Sequence, residues 1–179
     1  YSAADTIIPK GSLFYKRAVV EKEQLPGSII LDYPKNHVLY NLAVDTASTY
    51  GNSIFPGNYV DIWVKAMVKV ADDQQTRDSK ADQVMYGKLL SNVKVLAVKD
   101  SSGQAVFQNM DENRAPAMIV FALPQEYYVL LKKASYMRTY STEITLVPTN
   151  EGNKDEPGEL ELSSEALKEW INNNTAWSD

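Results

Sequence analysis

The run Phe55-Pro56-Gly57-Asn58-Tyr59-Val60-Asp61-Ile62-Trp63-Val64 constrains the fold more than any other stretch of the chain. From Val60 onward, Val60, Ile62, Val64, Ala66, Val68 and Val70 alternate with Asp61, Trp63, Lys65, Met67 and Lys69. An apolar residue at every second position cannot line one side of a helix, where residues on a face recur every three to four positions. It does line one face of a strand, because successive side chains point to opposite sides. The run therefore predicts a half-buried strand with its apolar side turned to a core. Pro56 fixes φ, and Gly57 admits the positive φ that a tight reversal needs, so the strand has a defined start. This feature specifies a scaffold and carries no catalytic chemistry.

The rest of the composition is ordinary for a globular chain. Hydrophobic residues make up 44% and charged residues 23% of 179, enough to bury a core in one medium domain with attachments. A net charge of −5 argues against nucleic acid, which is bound by clustered Lys and Arg. The absence of cysteine excludes thiol catalysis, a zinc ribbon and a disulfide framework, and it does not place the compartment. A single histidine, His37, leaves no His-based metal site, and its place in Lys35-Asn36-His37-Val38 reads as a turn. No apolar run approaches the ~20 residues that span a bilayer. The chain starts at Tyr1 without a basic leader and reads as a fragment or mature product, compatible with an anchoring segment preceding it.

Along the chain, residues 5–20 read as short β segments around a Pro9-Lys10-Gly11 turn. Ser28–Leu31 and Val38–Val44 are strand-like, and Asp45–Phe55 is a polar loop. After the long strand comes a charged run, Asp72–Asp82, read as a solvated loop; it lacks the D-x-D-x-D-G spacing of a calcium site. Lys88–Lys99 is apolar on both faces in its second half, as in a central strand. Asp100-Ser101-Ser102-Gly103 is a turn from which Gln104–Gln108 pairs back, and Ala117–Leu123 is a further strand. Pro124 opens a helix as its first residue, with Tyr127, Leu130, Leu131 and Ala134 as its apolar stripe. Ile144–Val147 closes the sheet before Pro148. Thr149–Gly158 is a linker, after which Ser163 or Ser164 caps a helix whose face is Ala166, Leu167, Trp170 and Ile171.

The motifs of catalysis are missing: there is no phosphate-binding glycine loop, no GxSxG, no HExxH and no dinucleotide fingerprint. The acid pairs Glu21/Glu23 and Asp111/Glu112 read as solvated surface. No catalytic, cofactor-binding or metal-ligating residues are assigned. The aromatics are the candidates that remain, since eleven tyrosines and three tryptophans are many for this length. Trp63 shares the polar side of the long strand with Lys65 and Lys69. Either a helix layer covers it, or it belongs to an open sheet face that could stack on sugar or pack on a protein. Trp170 packs its helix on this domain or on a partner. Trp63, Lys65, Lys69 and Trp170 form the candidate interaction set.

Four pieces in order carry a resemblance: Pro56–Val64, Leu89–Val98, Ile119–Ala134 and Ile144–Val147. Together they resemble the CpaB/RcpC family of Flp (Tad-type) pilus assembly proteins over roughly residues 42–148. Upstream, Ile8-Pro9-Lys10-Gly11-Ser12-Leu13 is similar to the turn of a SAF (β-clip) domain. Leu123 stands where the family helix usually has a Thr or Ser cap, and Tyr136-Met137-Arg138 where a Gly often ends it. The resemblance implies an α+β, β-rich fold: a partial β-clip-like segment over 1–45 and a small mixed sheet with one packed helix over 46–148; the linker with a C-terminal helix over 149–179, read from the residues, has no counterpart in the family. It implies a non-catalytic, extracytoplasmic component without a cofactor. Such a protein contacts other pilus assembly proteins and is held at the membrane only through an anchor outside this chain. A second reading is a module that binds cell-wall glycan (peptidoglycan) through Trp63.

Overall fold

In the computed structural model Gly57 adopts φ +91° and the Asn58 N–H donates to the Phe55 carbonyl at 3.1 Å, so the Pro56-Gly57 turn closes as its residues predict. The structure describes residues 2–4, 10–11, 19–21, 33–68, 84–107, 113–137, 140–149 and 158–175. The chain forms two units, residues 1–35 and 36–179. In the first, β1 (Ser2–Ala4) pairs antiparallel with β2 (Val19–Glu21), and Gly11 turns at φ +88°. The expected strand at Ser28–Leu31, the charged run Asp72–Asp82, Lys69 and the linker residues 150–157 lie outside the described residues.

The second unit is built on one sheet in the order β3-β6-β5-β4-β7, and its pairings are all antiparallel where a mixed sheet was expected. Its strands are β3 (His37–Ala43), β4 (Tyr59–Val68), β5 (Val84–Lys99), β6 (Met118–Pro124) and β7 (Tyr140–Pro148), with the two-residue β8 (Glu161–Leu162) added on β5. The fold class is α+β and β-rich. His37 begins β3, opposite Pro124, immediately after the turn at Asn36. β4 alternates as its sequence demands: Val60, Ile62, Val64 and Ala66 are at most 1% exposed and face the core.

β5 is sixteen residues long and central, and it begins four residues earlier than its apolar half suggests. Its register against β4 slips twice, with Val60 opposite Val93, Ile62 opposite Leu90 and Trp63 opposite Lys88. Each slip is a bulge that spends one extra residue on β5. The bulges place Leu89, Leu90 and Val93 all in the core, which is why this segment reads as apolar on both faces. Asn92, inside the bulge between the Val60 and Ile62 pairs, takes φ +57°, a conformation Asn tolerates better than most residues.

The helices α1 (Gln125–Ser135) and α2 (Glu165–Asn173) both pack on the inner face. Leu130, Leu131 and Ala134 of α1 and Ile171 of α2 join the core cluster around Val60, Ile62 and Val64. Pro124 is not the first helical residue. It stays extended at φ −50°, ψ 143° as the last residue of β6, paired with His37, and so occupies the position before the helix. Ser164 caps α2 by accepting the Leu167 N–H at 3.2 Å. Ala166, expected on the packed face of α2, is exposed, and Leu167, Trp170 and Ile171 do the packing.

The polar loop before β4 holds more structure than its composition suggests. Asp45 and Ser48 bond reciprocally, each backbone N–H donating to the other's side chain at 2.8 and 2.7 Å. This closes a helical turn that buries Thr49 and Ile54. Donation from Ser48, first from its backbone N–H and then from its hydroxyl, holds the Asp45 carboxyl below its ordinary pKa. At the far end of β5, Asp100 anchors the next turn. It accepts from the Ser102 and Gln104 N–H groups at 2.9 Å each and pairs with Arg114 at 2.6 Å.

Candidate interaction face

Because both helices cover one side of the sheet, the side chains of opposite parity are left on a second face. On β4 these are Asp61, Trp63, Lys65 and Met67. The register brings Lys88 of β5 and Thr145 of β7 beside Trp63, and Tyr86 of β5 and Glu143 of β7 beside Lys65. Antiparallel neighbours directly opposite one another share a face, so these eight residues form one surface.

Trp63 lies half-buried at its centre, and neither helix covers it. Its ring stacks on Tyr86 with centroids 5.2 Å apart and planes 24° from parallel. Tyr86 is 54% exposed, and Met67 and Val84 beside it are 40% and 53% exposed. The Trp63 indole N–H is shielded from water and has no hydrogen-bond acceptor among the described residues. Leaving a buried donor unpaired costs about 1–3 kcal/mol, so an acceptor at this position would be worth a comparable amount.

The charges on the face are arranged in two pairs. Lys65 Nζ lies 3.4 Å from Glu143 Oε2, with both groups largely in water. Such a pair contributes little to stability, about 0–1 kcal/mol, and is free to exchange partners. Lys88 Nζ lies 3.1 Å from Asp61 Oδ2. Asp61 is 7% exposed and its other oxygen accepts the Asn92 N–H at 3.3 Å, so its carboxylate ties β4 to the bulge of β5. Asp61 is thus committed to holding the strand, although it shares the face with Trp63.

The four candidate residues do not meet at one place. Trp63 and Lys65 are neighbours on this face, and Lys69 lies outside the described residues. Trp170 sits on α2, on the opposite side of the sheet, with its ring edge-on to Tyr140 at 4.9 Å. It seats α2 on the beginning of β7. Tyr86, Lys88 and Glu143 belong to the face and were missed. The alternation of Val84, Tyr86 and Lys88 with Met85 and Gly87 was the signal for the first two.

Elsewhere, a groove of about 580 Å³ runs between α1 and α2, lined by Tyr127, Val129, Leu130, Lys133, Lys168 and Asn172. Among the described residues no group of three or more His, Asp or Glu residues is placed to hold a metal ion. No described helix is long and apolar enough to cross a membrane.

The fold and this face define a β-rich scaffold domain with one sheet side sealed by helices and the other left uncovered by them. The family model for the Flp pilus assembly protein RcpC/CpaB matches residues 33–139, more than half of the chain, and the chain belongs to that family. Its role is in Flp pilus assembly, among the other components of that machinery. No curated protein and no solved structure matches the chain.

Proposed function

We propose that this protein is a non-catalytic, extracytoplasmic component of Flp pilus assembly that acts by protein–protein contact through the open face of β5, β4 and β7. The observation that carries this reading is the Trp63–Tyr86 stack, which lies on the sheet side the helices leave uncovered. Large aromatic rings with a polar tip contribute much of the energy of protein interfaces. The Lys65–Glu143 pair at the rim can re-pair with charges on a partner. A partner carbonyl could also accept from the indole N–H, which has no acceptor among the described residues, given a small shift of Tyr86. In the full-length protein, the reading places the domain outside the cytoplasm, held to the membrane by an anchor.

A photo-crosslinking residue at position 86, introduced in a strain that assembles Flp pili, tests the proposal. The expected product is a covalent adduct with another pilus assembly component, lost when Lys65→Glu is added. Absence of any such adduct, together with normal pilus numbers in a Trp63→Ala, Tyr86→Ala strain, overturns it. The glycan reading is tested by co-sedimentation with purified peptidoglycan. Binding that disappears in Tyr86→Ala replaces the protein-contact reading.

A further inference from the structure

The end of the described chain forms an arm, Gly158–Thr175, that lies on the edge of β5. Its strand contact is small. Only Leu162 and Glu161 of β8 pair with Leu90 and Ser91, and the Ser163 N–H donates to the Leu89 carbonyl at 2.8 Å. The arm is nevertheless shaped to this edge. Asn92 Nδ2 donates to the Glu159 carbonyl, and a Cβ on Gly158 would stand 2.8 Å from the same amide nitrogen. Ser91 and Ser163 join their hydroxyls in a hydrogen bond, and Leu167 lies over Gly87. Beneath the arm, Ile171 is fully buried and Ser91 is 6% exposed.

We propose that this arm exchanges between copies of the chain, the arm of one copy docking on the β5 edge of another. Two observations support a second copy as the occupant. Among the described residues, the segment that fits this edge is the arm itself. It is tethered through the nine residues 149–157, which span at most roughly 30 Å and are rich in charged and turn-forming types. A released arm bares Ile171 and the Leu89–Ser91 edge together, and each is complementary to the same surfaces on a neighbour. The matched family region ends at residue 139 and does not include the arm.

The chain has no cysteine, so crosslinking is clean. Full-length Ser91→Cys and Ser163→Cys variants are mixed under reducing conditions, then oxidised and digested. Exchange predicts a disulfide joining position 91 of one chain to position 163 of another, in excess of links between identical positions. The double variant Ser91→Cys, Ser163→Cys, oxidised at high dilution, reports whether the pair closes within a chain. In-chain closure with no 91–163 link in the mixture overturns the proposal. Hydrogen exchange of the unmodified protein supplies a second reading. Exchange predicts that the Ser163 and Leu167 amides open at least about tenfold faster than those of Ile62 and Val64. Equal rates overturn the proposal whatever the disulfides do.

Discussion

Asp100 shows how much a single carboxylate can organise. The Ser102 hydroxyl, then the Arg114 guanidinium and the Gln104 N–H, hold its carboxyl well below the ordinary aspartate value of 3.8. A carboxyl with a depressed folded pKa takes up its proton less readily when folded than when unfolded. Its contribution to stability is therefore fully present above 3.8 and is lost as pH falls from there toward the folded value. The urea midpoint should drop between about pH 4 and pH 2, and Asp100→Asn should flatten that part of the profile while lowering the midpoint at pH 7. A parallel acid slope in the variant would assign the loss to other carboxylates. The Asp100-Ser101-Ser102-Gly103 turn was legible from its residue types. Arg114 was not, because fourteen residues of chain separate it from Asp100 and no local pattern brings them together.

At the scale of elements, periodicity carried the reading and its interruptions limited it. β4 keeps an unbroken period of two, and its apolar positions Val60, Ile62, Val64 and Ala66 are buried as that period demands, with Asp61 the one alternate position that is buried as well. β5 was read as starting at Lys88, because its two bulges break the alternation that Val84–Lys88 otherwise continues. Asp45–Phe55 reads as a polar loop, yet Ile54 is 1% exposed there, since one buried residue in a turn leaves no repeating signal. Capping chemistry was more transparent: Ser164 stands before an apolar stripe and does accept the Leu167 N–H. Ser164→Ala should cost about 1 kcal/mol, a fall in Tm of roughly 2–4 °C, measurable by circular dichroism. Ser163→Ala should leave the α2 cap intact and act only through the contact with Ser91.

For the molecule as a whole, the sheet has two unlike sides, and substitutions should sort by side. Leu131 is 0% exposed where α1 meets the sheet, and Leu131→Ala should cost about 2–5 kcal/mol. Tyr86→Ala, on the open side, should cost no more than about 1.5 kcal/mol, the value of an aromatic pair, while impairing assembly. Urea denaturation of both variants checks this, and a larger loss for Tyr86→Ala would make the open face part of the core. The half of the candidate site lying on β4 was visible in the alternation. Tyr86 and Glu143 are contributed by neighbouring strands, and only the register of the sheet brings them to Trp63 and Lys65.

The arm also bears on how the chain is made. Ser91 and Ser163 are 72 residues apart, so the central strand leaves the ribosome well before the segment that covers its edge. At roughly 5–20 residues per second, that interval is on the order of several seconds. During that time β4, β5 and β6 can already pair, while the backbone of Leu89–Ser91 still lacks its partner. The nascent chain thus presents a strand-pairing template that the finished protein conceals.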